Sequence, residues 1–424
     1  MLQVEEKKKV TKSIGDLGRR VTAADVATKT GLPVLVVSEA LNQIASETGG
    51  NLAVSTSGDV VYSFAPGFSN AYLTRGIARF FEKFFEELFR IGFYLVKISF
   101  GIMLILSLAI IIITIMILFF SQKTSQNRRS DNDDFRINFN FFDYLIFRDL
   151  LYYFTYRAPH TVVYDYNRPT VRKPAKSNFL LNCFSFLFGD GDPNEGLDEK
   201  RWQLIAKVIK QHNNVVTSEQ LAPYLGSDPK NEDAVLPVLV RFNGIPEVTD
   251  SGNIIYTFPS MANTAGGVHN ESAPPFLKEF PRKFTEVESG GLVPVYIIAA
   301  INFAGAWFLW FLLHGSSAPN ISFLYNALAI YGTLFLVIPL LRKFWISAEN
   351  KKIEKRNKQR AEYSEALRSP TPELKKKIAE SREYRMRDNR ITQGSVVYTT
   401  EKQSLDQEDD LERQFKSGEF DASP

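Results

Sequence analysis

Apolar residues gather into unbroken blocks at three places along the chain and interleave with polar residues elsewhere. The first block, Ile98 to Phe120, runs 23 positions without a charge, and residues 291–313 and 321–341 form a closely spaced pair. At about 1.5 Å per helical residue such a run reaches roughly 35 Å, enough to cross a hydrocarbon core of about 30 Å. A buried soluble helix seldom holds more than about 14 such residues in a row, so the pattern predicts three transmembrane helices. Before the first block, Phe80, Phe81, Phe84, Phe85, Leu88 and Phe89 recur at helical spacing between Arg79, Lys83, Glu86, Glu87 and Arg90. That spacing predicts an amphipathic interfacial helix within 69–97. Phe141 to Phe154 and Asn178 to Phe188 are too short or too charged to span, and predict further interfacial elements in a linker over 121–199.

The polar parts contain an internal repeat. Val21-Thr22-Ala23-Ala24-Asp25-Val26-Ala27, then Gly31, then Ser57-Gly58-Asp59-Val60-Val61-Tyr62-Ser63-Phe64 align with Val216-Thr217-Ser218-Glu219-Gln220-Leu221-Ala222, Gly226 and Ser251-Gly252-Asn253-Ile254-Ile255-Tyr256-Thr257-Phe258. Thr22 and Thr217 suit helix N-caps, and Gly31 and Gly226 suit helix ends in a left-handed conformation. A second helix is predicted at Val34 to Glu47 and at Asp233 to Phe242, where Pro237 intervenes. A two-stranded wing with a Ser-Gly turn follows in each copy. The expected fold class is therefore an α-helical membrane protein with two winged-helix-like (α+β) soluble modules, at 1–68 and 200–261. A linker at 262–290 and a polar tail at 342–424, basic and then acidic, complete the chain. Within the tail a helix is expected from near Pro372, and the acidic end is Asp406 to Glu412.

Flanking charge bears on topology. His314 to Asn320 lacks Lys and Arg, whereas Lys278, Arg282 and Lys283 precede the paired blocks and a basic run follows them. The short link is expected to face away from the cytoplasm or its organellar equivalent, with the middle module and tail facing it. Residues 91–120 are short for two crossings, so a single crossing is expected, which puts the N-terminal module opposite its repeat. A turn back near Gly101 is the alternative.

Composition narrows the chemistry. Fifty Lys and Arg against 47 Asp and Glu leave a net charge of +3, and residues 1–68 hold seven bases and seven acids. Neither balance supports counterion release from DNA, and the second helices expose Ser38, Glu39, Asn42, Gln43, Ser46 and Glu47 in one copy and Asn231, Glu232 and Asp233 in the other, where Arg241 is the one base. Nucleic acid is accordingly not an expected partner. The lone Cys183 excludes an intrachain disulfide and an iron–sulfur scaffold, and its apolar neighbours mark it as a small apolar residue. Asp190-Gly191-Asp192-Pro193-Asn194-Glu195-Gly196 starts like a calcium loop, but glycine falls at the seventh place and Arg201 stands where a bidentate acid is required. A turn before the helix at Trp202 explains it better. No phosphate loop, nucleophile elbow or zinc-protease motif is present, and His160, His212, His269 and His314 are scattered. No catalytic, cofactor-binding or metal residue is assigned, no cofactor is expected, and the chain is not expected to be an enzyme. Apart from Asn302 and Asn326 the spans hold little that lines a transport path. The charged start, Met1 to Lys12, has no apolar core after it, so no cleaved signal is expected. The basic run at 342–360 is expected to fix topology, with binding of anionic lipid headgroups as the alternative.

Val60-Val61-Tyr62-Ser63-Phe64, Phe188-Gly189-Asp190-Gly191-Asp192-Pro193-Asn194 and Val397-Tyr398-Thr399-Thr400-Glu401-Lys402 together resemble an uncharacterised multi-pass membrane-protein family of cyanobacteria and plant chloroplasts, sometimes labelled an iron–sulfur cluster biosynthesis family. The resemblance implies a thylakoid, cyanobacterial plasma or plastid membrane, but no activity, and one cysteine gives the label no support. The expected function is a membrane-anchored assembly factor whose modules dock partner proteins, photosynthetic complexes being what the resemblance points to. A membrane-tethered DNA-binding regulator and a small transporter subunit are the alternatives.

Overall fold

A computed structural model describes residues 4–56, 58–68, 77–125, 178–265, 272–314, 319–386, 389–392 and 395–401. The described chain begins with α1 (Val4–Asp16), β1 (Arg20–Val21), α2 (Ala23–Thr30), α3 (Val34–Thr48), β2 (Asn51–Ser55), β3 (Val60–Ser63), α4 (Ile77–Ser125) and α5 (Phe179–Phe188). It continues through α6 (Leu197–Gln211), β4 (Val215–Val216), α7 (Ser218–Leu225), α8 (Leu236–Phe242, after a 3-10 turn at Glu232–Val235), β5 (Ile245–Val248), β6 (Ile254–Thr257) and β7 (Asn263–Thr264). Last come α9 (Ser289–Leu313), α10 (Pro319–Arg368), α11 (Pro372–Glu383), β8 (Asn389–Arg390) and β9 (Val396–Thr399). The fold is mostly helical, with small sheets, and its described residues fall into two compact units. One lies within Met1–Arg79, Asn194–Phe280 and Lys352–Pro424, the other within Phe80–Pro193 and Pro281–Lys351.

In the first unit two segments run through the same succession of elements. The sheet orders are β1-β3-β2 and β4-β6-β5, all antiparallel, and Leu52 pairs with Tyr62 as Pro246 pairs with Tyr256. Local chemistry repeats as well. Asp25 accepts from the Thr22 amide at 3.0 Å, and Gln220 accepts from the Thr217 amide at 3.0 Å, each closing a first helical turn. Gly31 and Gly226 end α2 and α7 at φ 72° and 73°, where a side chain is strained. The buried rings of Phe64 and Phe258 lie against Gly50 and Gly244, which leave them room.

These two segments share a core. Val26, Ala27 and Leu41 from one belong to the same buried cluster as Trp202, Ile205 and Phe242 from the other. Polar ties reinforce it. Arg241 Nε donates to Gly31 O at 2.6 Å, and Asp25 accepts from the Ala265 amide at 2.9 Å. Partners in such contact cannot occupy opposite faces of a bilayer, so the separation expected from a single crossing is overturned. The turn back near Gly101 does not form either, because α4 runs without a break from Ile77 to Ser125. Phe141–Phe154 and Asp406–Glu412 lie outside the described residues.

Among the described residues, three helices are long and apolar enough to cross a membrane: Leu88–Leu118, Gly290–Leu313 and Ser322–Arg368. Between them sits α5. Seven of its ten residues are buried, packed against α4 and α9. Glycine permits the approach: a Cβ on Gly101 would stand 2.6 Å from Leu180 Cα. Asn302 Nδ2 donates to Ser107 Oγ at 2.6 Å, and both residues are buried. In apolar surroundings such a bond is worth about 0.6–2 kcal/mol. Asn302→Leu is expected to lower stability by that amount in mixed-micelle denaturation of the full-length protein, and an unchanged midpoint would show the bond to be idle.

Candidate partner-docking faces

The third helix of each segment presents an outward face, and α3 exposes Leu35, Glu39, Asn42, Ser46 and Glu47 without a single base. In α8 the one base, Arg241, is turned inward: its guanidinium lies 4.5 Å from the Trp202 ring centre while Nε holds Gly31 O. Outward from α8 stand Leu236 and Val240, and on β5 Ile245 and Val248 are exposed on opposite faces of the strand.

The two sheet edges differ. Beyond β2 lies β9, with Thr400 N donating to Leu52 O and Leu52 N donating to Thr400 Oγ1, both at 2.9 Å. At the position matching Leu52, β5 has Pro246, which lacks an amide to offer, and no described strand follows. The turn of the second sheet is held by α11 instead. Glu380 accepts from Thr249 Oγ1 and Asn253 Nδ2, each at 2.8 Å. Hydrogen bonds from Ser251, Asn253 and Thr249, with help from Lys376, bring its pKa down to about 2. A depressed folded-state pKa means the tie is intact above the ordinary carboxylate range and lost as pH falls toward that value. Protection of the Gly252 and Asn253 amides, taken relative to intrinsic exchange at each pH, should therefore fall on acidification in the native protein and be low already at neutral pH in Glu380→Ala.

The other residues singled out by sequence fall into structural roles. Asp190 accepts from Ser185 Oγ at 2.6 Å and from the Glu286 amide at 2.7 Å, and Asp192 pairs with Arg282 at 2.5 Å. Burial, then Arg385 and Arg382, lower the pKa of His212, which meets Gln220 at 3.2 Å, and His314 stacks on Trp310. His160 and His269 lie outside the described residues. Among the described residues no group of three or more His, Cys, Asp or Glu side chains is placed to hold a metal ion.

The basic run divides by residue type. Arg342 donates to Ser185 O at 3.2 Å and Phe186 O at 3.0 Å, at the end of α5, and Arg356 and Arg360 both donate to Glu279. Lys343, Lys351, Lys355 and Lys358 stay exposed. Sequence reasoning missed these arginine roles and the strand β9. A signal for β9 exists, since Val396-Val397-Tyr398-Thr399 repeats the pattern of Val60-Val61-Tyr62-Ser63.

No family model and no solved structure matches the chain. It is 34% identical over 444 residues to the uncharacterized chloroplastic protein At5g03900 of Arabidopsis thaliana, an alignment covering 98% of this chain and 83% of that protein. The chain belongs to that protein's family. It is a family with a plastid member, as the resemblance implied, while the relative's name carries neither an iron–sulfur role nor a cyanobacterial distribution.

Proposed function

We propose that the protein is a non-enzymatic, membrane-anchored interaction or assembly factor of a plastid or cyanobacterial membrane. Three apolar helices seat it in the bilayer, and its two α+β segments are duplicated winged-helix-like modules that dock partner proteins. Photosynthetic complexes are the partners this reading favours. The observation that carries it over DNA binding is the treatment of charge on the third helices: α3 has no base, and Arg241 of α8 is engaged by Gly31 and Trp202. A helix entering the major groove needs basic and amide groups free to meet phosphates and base edges.

Two measurements on the full-length protein test the reading. Crosslinking in native membranes should join it to specific proteins. Gel-shift titration of the detergent-solubilised protein should show no tight, salt-sensitive DNA binding; finding such binding without protein crosslinks would make the regulator reading the correct one.

A further inference from the structure

We propose that the outward face of α8, centred on Leu236 and Val240, forms a docking surface for a basic amphipathic helix of a partner protein; this rests on the protein-docking reading above. The hydrogen bonds Gly50 N to Ala45 O and Gly244 N to Leu239 O match the two segments residue for residue, which sets Leu236 against Asn42, Val240 against Ser46 and Ile245 against Asn51. Polar positions in one segment are apolar in the other. Leu236 is 53% exposed, Val240 80%, Ile245 51% and Val248 66%, whereas Val54, which matches Val248, pairs with Tyr398 of β9. Asn42 itself accepts from Tyr62 at 2.7 Å, a bond Leu236 cannot make. One segment is thus closed by its own chain and the other presents apolar surface.

The chemistry of the surroundings selects the occupant. Leu236 and Val240 are four residues apart and share a helix face, a spacing that suits contact with another helix. Strand addition at β5 is blunted, since Pro246 offers no amide. Residues 226–253 carry five acids, Asp228, Glu232, Asp233, Glu247 and Asp250, against Lys230 and the inward-turned Arg241. This acidic excess, with Glu232 and Asp233 directly preceding α8, attracts a segment whose apolar stripe is flanked by Lys and Arg, and repels both anionic lipid and a second copy of itself.

The test uses full-length protein in phosphatidylcholine nanodiscs, titrated by fluorescence anisotropy with a labelled helical Leu/Lys peptide and its Leu/Glu counterpart. The comparison protein is L236N/V240S, which places the other segment's own residues on this face and, at exposed positions, should leave thermal unfolding unchanged. The Leu/Lys peptide is expected to bind the native protein, more weakly as salt rises, with at least about a tenfold loss in L236N/V240S. Equal binding to both proteins, or preference for the Leu/Glu peptide, overturns the proposal. So does sedimentation showing a dimer that L236N/V240S abolishes, or flotation with phosphatidylglycerol liposomes that depends on Leu236 and Val240. Native-membrane crosslinks to proteins alongside a failed titration sink this surface and leave the docking function standing; absence of any crosslinked protein sinks the function itself.

Discussion

Glu279→Gln is expected to lower the stability of the first unit by about 3–5 kcal/mol, the cost of stranding a buried charge by removing its partner. The Glu279 and Arg360 side chains are each 7% exposed and meet at 2.6 Å, and Arg356 adds bonds of 2.7 and 3.0 Å to the same carboxylate. Glutamine keeps the shape and one acceptor oxygen but leaves Arg360 buried without an opposite charge. Asn357 brackets the Glu279 backbone from the next position of α10, donating to its carbonyl at 2.7 Å and accepting from its amide at 2.9 Å. Those bonds survive the substitution, so the loss reports charge. Denaturant unfolding of the full-length protein in detergent gives the magnitude, and Glu279→Gln combined with Arg360→Met should recover part of it. A loss below about 1 kcal/mol would match a solvent-screened surface pair instead. The pH dependence follows in sign. Burial opposes ionisation of Glu279, but hydrogen bonds from Arg356 and Arg360 and their positive charges outweigh it and hold its pKa below the ordinary carboxylate value. Stability from this group is therefore present above that ordinary value and is lost as pH falls through the folded-state pKa.

The second large effect is expected at Gly101. A Cβ there would lie 2.6 Å from Leu180 Cα and 2.8 Å from Leu180 Cδ2, closer than packed carbon atoms come, and one of the clashing atoms is backbone. Gly101→Val must push α5 from α4, at a cost of about 3 kcal/mol, the upper end for overpacking. The chain supplies its own reporter. Cys183, its single cysteine, lies one turn beyond Leu180 with no exposed surface, and burial pushes its thiol up to about 12. Maleimide labelling should be slow in the native protein and at least about tenfold faster in Gly101→Val if α5 is displaced. Equal rates would mean that the two helices are not in contact.

Much of the local structure was legible because it depends on residues close in sequence. Thr22 and Thr217 mark helix starts, Gly31 and Gly226 mark helix ends, and an uncharged run from Ile98 to Phe120 leaves little alternative to a long apolar helix. What was not legible depends on which surfaces meet. Nothing in the repeat discloses that Gly31 packs on Trp202, where an added Cβ would stand 3.0 Å from Trp202 Cβ, while its counterpart Gly226 packs on Arg360. Charge counting set a topology, but it treated Arg342, Arg356 and Arg360 like their neighbouring lysines, though the arginines are engaged and most of the lysines face outward. For the docking face, the exposed pair Leu236 and Val240 became visible only when α8 was seen to turn its other side into the shared core.

Alkaline carbonate extraction of native membranes tests most directly whether the apolar helices hold this chain in lipid. The protein should stay with the membrane pellet and enter solution only with detergent; its release into the carbonate supernatant would contradict the account at its base.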